Sequence, residues 1–171
     1  MKKLLADLRD QHRFILQLLE DPEKLLELIH FLEEVHHPLE EEVLFPVLNK
    51  TSWLCQGGPR CSLHMGIRIE QDPLGKIEKH LADFAQKSGW RANPTQDPSW
   101  LSQQSPLSIP IEEHVVSHRL ADALKELRKD RESALYREFF PHLYNDFCQL
   151  LKMHIDKEDH CLFVMCEMNL K

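Results

Sequence analysis

Seven ionisable side chains stand where the helical periodicity of this chain calls for apolar ones, and that conflict limits the folds it can adopt more than any other feature. Residues 4–20 carry Leu5, Leu8, His12, Ile15 and Leu19 at spacings of three and four, one stripe of an amphipathic helix with a histidine at its centre. A second helix is predicted from about 23 to 48, with the stripe Leu25, Leu28, Leu32, His36, Leu39/Glu40, Val43 and Val47. A third runs from about 111 to 129 on Ile111, His114, His118, Ala121 and Leu124. The last places Leu143, Phe147, Leu150, His154, Glu158, Cys161 and Met165 on one face, with Pro141 at its start or kinking it. Glu112 and Glu113 suit the positive end of the third helix.

No alternating run bounded by turn residues suggests a strand, so the chain reads as all-α. Residues 49–62 hold Gly57, Gly58 and Pro59 and read as a loop. A shorter helix is expected over about 72–87, with Leu74, Ile77, Leu81 and Phe84 inward and Ser88–Gly89 closing it. The prolines at 94, 98, 106 and 110 make residues 90–110 an extended connection. The expectation is a single domain over 1–171: an up-and-down four-helix bundle with a central insertion, about 49–109, carrying the extra short helix.

At 171 residues the chain can enclose one substantial core. Its net charge of −7, with no basic cluster, argues against nucleic acid as a partner. Asp7, Arg9 and Asp10 interrupt the apolar start too early for a secretion signal, and no apolar run nears the roughly 20 residues a membrane span needs. Five cysteines, an odd number, point to free thiols in a reducing compartment and hence to a cytoplasmic protein. Cys61-x-x-His64, with Cys55 nearby, lacks the remaining ligands of a zinc site.

Buried carboxylates and imidazoles destabilise a core by several kcal/mol unless something satisfies them. Here every main helix places one or two on its stripe: His12; His36 and Glu40; His114 and His118; His154 and Glu158. Pairs four residues apart point the same way, roughly 6 Å apart along the axis. Packed helices lie about 8–10 Å apart, so the seven groups can converge on one centre. Five imidazoles and two carboxylates are too many for one metal ion and suit two, with iron, zinc, copper or nickel all acceptable by ligand type. His30, His37, His64, His80, His142 and His160 lie off these stripes or in the insertion and read as surface or supporting histidines. His37/Glu41 is spaced as well as His36/Glu40, and Asp159 stands beside Glu158.

The segments HHPLEEEVLFP (36–46) and HIDKEDHCLFV (154–164) share H-x-x-x-E-[ED]-x-x-L-F. With DQH (10–12) and EEHVVSH (112–118), the chain resembles the hemerythrin-like, or HHE cation-binding, family. The resemblance covers the four main helices in order and leaves the insertion outside. It implies two iron ions: His114, His118 and His154 on one, His12 and His36 on the other, with Glu40 and Glu158 bridging. The second iron keeps an open position for O2, and NO can bind there too. The alignment of Leu44–Phe45 with Leu162–Phe163 favours His36/Glu40, and HHE spacing favours Glu158. A ferritin-like di-iron bundle does not fit, because neither His114 nor His154 has a glutamate three residues upstream.

Three functions are compatible with that centre. The first is a non-enzymatic protein that binds O2 or NO for sensing, storage or protection, with Leu8, Ile15, Leu32, Val43, Leu150 and Cys161 walling a dry pocket. The second is a di-iron oxidase, peroxidase or NO-detoxifying enzyme, with Tyr144, Cys148 and Cys161 near the ligands in sequence. The third is a signalling or iron-storage module, acting as a homodimer or with a separate partner through the insertion and Trp53, Trp90 and Trp100.

Overall fold

The computed structural model describes residues 1–54, 73–95, 98–101 and 105–169; Cys55, Cys61 and His64 lie outside the described residues. Every described element is helical. Helix α1 is Lys2–Leu18. A 3₁₀ turn at Pro22–Lys24, capped by the Asp21 side chain on the Glu23 N–H, leads into α2, residues 25–48. Helix α3 is Pro73–Ser88, α4 is Ser108–Leu127 and α5 spans 134–169. Gly89, at φ +72°, turns the chain out of α3 in a left-handed conformation that favours glycine. No helix among the described residues is long and apolar enough to cross a membrane.

Helix α5 starts about two turns before Pro141, where Ser133 accepts a hydrogen bond from the Tyr136 N–H, so Pro141 lies inside the helix rather than at its start. At α4, Ser108 opens the helix and Pro110 falls in its first turn, where a missing N–H costs nothing.

Three π turns interrupt the α-helical geometry: Leu32–His36 and Glu40–Leu44 in α2, and Glu158–Leu162 in α5. The N–H groups of His37, Phe45 and Phe163 reach back five residues instead of four. In α2 each widened turn is followed closely by a proline, Pro38 or Pro46, whose ring would otherwise press on the carbonyl four residues back. Each π turn inserts one residue, about 100° of helix rotation, and so moves the buried face. That shift corrects the expected stripe of α2. Val43 and Val47 are 45% and 43% exposed, while Leu44, Phe45 and Leu48 are fully buried in their place. In α5 the same shift buries Phe163 and Cys166 rather than Met165.

Two apolar clusters form the interior. The larger joins Ile15 and Leu18 of α1, Leu25, Leu28 and Leu32 of α2, Ile77, Leu81 and Phe84 of α3, and the facing residues of α4 and α5 up to Ile155. The smaller joins Leu5 and Leu8, Leu44, Phe45 and Leu48, Leu107 and Ile111, and Phe163 with Cys166. Each of α1, α2, α4 and α5 therefore runs from one cluster to the other. On all four helices the histidines and glutamates of the stripes, His118 excepted, lie between the clusters. Trp90 packs on the large cluster near Phe84, and Trp53 and Trp100 pack on the small one.

Candidate metal centre

Between the two clusters, His12, His36, Glu40 and Glu158 form one group whose ligand atoms all lie within 4.8 Å of one another; Glu40, His114, His154 and Glu158 form a second. Both glutamates belong to both groups, and all six residues are buried, none more than 2% exposed. The inward atoms are the Nε2 nitrogens. Those of His12 and His154 each lie 3.3 Å from Oε2 of Glu158. Nε2 of His114 and His36 lie 3.3 and 3.6 Å from Oε2 of Glu40.

Each of these imidazoles is aimed by a partner on its other nitrogen. Nδ1 of His12 meets Asp159 at 2.9 Å, that of His36 meets Gln11 at 3.0 Å, that of His114 meets Glu41 at 2.7 Å, and that of His154 meets Glu113 at 3.0 Å. All four partners are acceptors here, so Nδ1–H donates outward and Nε2 turns a lone pair inward. This is how metal-bound histidines are held. Nε2 of His12 and His36 and all four carboxylate oxygens of Glu40 and Glu158 are buried with no hydrogen-bond partner among the described residues. Nε2 of His114 and His154 face each other at 3.2 Å, which requires a proton or a metal cation between the lone pairs. An imidazole–carboxylate set of this kind, buried and left without hydrogen-bond partners among the described residues, fits a transition-metal ion.

The shared motif of α2 and α5 now has a structural meaning. In both copies the first acid, Glu40 or Glu158, opens a π turn and points into the centre. The second acid, Glu41 or Asp159, accepts from Nδ1 of a histidine on another helix, His114 or His12. The phenylalanine that follows the turn stacks on that same ring: Phe45 on His114 at 5.8 Å and Phe163 on His12 at 5.4 Å. Glu41 and Asp159 therefore lie outside the centre, and Glu40 and Glu158 within it.

The electrostatics show the demand for positive charge. Burial pulls His12 down, but Asp159, Glu158 and Glu40 outweigh it and hold its pKa up at about 11. His114 is likewise held up at about 10, Glu40 and Glu41 outweighing burial. His36, for which burial prevails, is pulled down to about 3, and burial also keeps His37 well below the ordinary histidine range. Burial pushes Glu40 up, yet the surrounding imidazoles hold it well below the usual carboxylate value. Glu158 is raised, first by burial and then by the nearby Glu40. A cation bound at the inward Nε2 atoms would meet this demand in place of a proton on His12 or His114.

Two histidines depart from their expected places. The His118 side chain is 32% exposed and belongs to neither group; its Nε2 lies 3.2 Å from Nδ1 of His37, and its Nδ1 is 3.8 Å from Glu33. His37, expected at the surface or in a supporting role, is only 2% exposed and stacks on His114 with ring centres 3.9 Å apart. With the π turn just before it, two consecutive histidines face inward. Glu113, expected to serve the positive end of α4, is buried in an ion pair with Lys157 and holds His154. Burial raises the Glu113 carboxyl, but His154 and Lys157 outweigh it and keep its pKa low. Outside the centre, His80 pairs with the buried Asp146 at 2.5 Å and ties α3 to α5. Cys148, Cys161 and Cys166 form no disulfide. Compared with known proteins, the chain matches no family model, no curated protein and no solved structure.

Proposed function

We propose that this chain is a hemerythrin-like protein: an up-and-down four-helix bundle, interrupted by the 49–109 insertion, holding two iron ions that bind O2 or NO. The observation that carries the reading is the pair of four-residue groups sharing Glu40 and Glu158, each imidazole aimed inward by its own outer partner. His12 and His36 would hold one ion, His114 and His154 the other, and the glutamates would bridge them. Iron supplies the redox chemistry that O2 and NO binding require.

The chain's own contribution is to position donors and to exclude water. Leu8, Ile15, Leu32, Leu150 and Cys161 are buried and border the ligands along their helices. Val43, expected among them, faces solvent because of the π turn at Glu40. A cavity of about 30 Å³ between the start of α4 and the end of α5 is lined by Leu107, Pro110, Leu162, Met165 and, at the centre, Glu158. It has room for one or two molecules the size of water and offers a small, uncharged ligand a mostly apolar approach. Keeping bulk water and protons out favours reversible binding over turnover. Tyr144, an alternative source of reducing equivalents, donates its hydroxyl to the Leu19 carbonyl at 3.0 Å and packs with Cys148 against the large apolar cluster.

The test is iron per chain after anaerobic loading and gel filtration. Two ions are expected in the wild type and at least one fewer in His154→Ala. An unchanged stoichiometry in that variant contradicts the ligand set.

A further inference from the structure

Five buried imidazoles, not four, share the arrangement that aims a metal ligand, although the fifth lies outside both four-residue groups. His37 is the fifth: it is 2% exposed, and its Nε2 is buried without a hydrogen-bond partner. Its Nδ1 is tied outward, 3.2 Å from Nε2 of His118, just as the other rings are tied to Asp159, Gln11, Glu41 and Glu113. With Nδ1–H donating to His118, Nε2 of His37 keeps a lone pair in an interior that offers it no donor. The ring lies nearly parallel to His114, 17° between planes, and its centre is 6.3 Å from that of His154. His118 has the properties of an outer partner instead. It is half-exposed, its Nε2 is occupied by His37, and its Nδ1 faces Glu33, which Lys125 holds at 2.9 Å.

We infer that His37 is the fifth imidazole ligand of the centre, on the ion held by His114 and His154, and that His118 is the residue that orients it. The inference rests on the proposed two-metal reading. It replaces the i, i+4 pair His114/His118 with ligands from two helices, His37 and His114. A histidine directly after His36 can serve because the Leu32–His36 π turn brings both inward.

The full chain loaded with cobalt(II) tests this by proton NMR. Each ligated imidazole with a protonated Nδ1 gives one exchangeable N–H signal shifted far downfield by the paramagnetic ion. Five such signals are expected in the wild type and again in His118→Gln, whose amide oxygen can still accept from His37. Four are expected in His37→Phe, which keeps the stacked ring but has no donor atom, with its helical circular dichroism unchanged. Only four signals in the wild type, or a loss in His118→Gln alongside five in His37→Phe, would overturn the assignment of His37 while leaving the two-metal reading in place. No shifted signals in the wild type would sink both.

Discussion

The large apolar cluster and the histidine–glutamate layer beside it are equally buried, yet they are held together for opposite reasons. In the cluster, Phe147, Leu143, Leu28 and Leu81 are fully buried, and removal of their surfaces from water drives the packing. In the layer, Glu40 and Glu158 are as deeply buried but have no hydrogen-bond partners, and burial opposes their charges. Helices α1, α2, α4 and α5 contribute to both regions, and α3 to the cluster alone. The apolar one therefore supplies the stability that lets the polar one exist in an unfavourable, ready-made form, whose remaining cost a bound cation would offset.

The sharpest contrast comes from truncating the cluster. Phe147→Ala is expected to cost about 3–5 kcal/mol in chemical denaturation, equally with and without metal. A cost that appears only in the metal-loaded protein would erase the distinction between the regions. In the layer the sign reverses. Glu158→Gln removes one of two facing carboxylates, so the metal-free protein should melt no lower than the wild type. The metal-linked gain should vanish, which for one ion at 100-fold over its dissociation constant is about 2.7 kcal/mol. A variant that melts lower without metal and still gains with it would contradict this account.

A smaller effect is expected one step out from the ligands. Asp159→Asn and Glu41→Gln should each weaken metal binding about 10–100-fold, measured by competition with a chromophoric chelator. Similar losses are expected because the two acids occupy matching places in the repeated motif. A loss confined to one of them would break the equivalence of the two halves.

The smallest effect lies at the surface. Glu23, in the turn before α2, is held below the ordinary carboxylate value by hydrogen bonding to Arg131, and by Arg128, both near the α4–α5 turn. Because its folded pKa is depressed, its contribution is present above about pH 4.5, the ordinary value, and is lost as pH falls through the folded one. Glu23→Gln should thus lower the melting temperature slightly at neutral pH, and the gap should close on acidification and shrink with salt. A gap that widens in acid would reverse the assigned sign.

The sequence exposes the helices and six residues of the centre because both follow a 3.6-residue period over long stretches. His12, Leu5, Leu8, Ile15 and Leu19 share one face, and all are buried in the structure. Periodicity fails at the π turns, where one inserted residue exchanges Val43 and Val47 for Leu44 and Phe45 and brings in His37. Pro38 and Pro46, within a helix that nonetheless continues, were the available signals of those turns. The outer partners were less legible. Gln11 and Glu113 are ordinary polar helix residues until α2 and α5 are packed against them, and only Glu41 and Asp159 are marked by the repeated motif.

The most direct test of the central claim is the optical absorption of the anaerobically iron(II)-loaded protein, recorded before and after air is admitted. A carboxylate-bridged di-iron centre that binds O2 should develop charge-transfer bands in the near-ultraviolet and visible, with a component that disappears when O2 is removed. A spectrum that stays blank with iron bound at two per chain would contradict oxygen binding. A protein that binds no iron would contradict the iron centre itself.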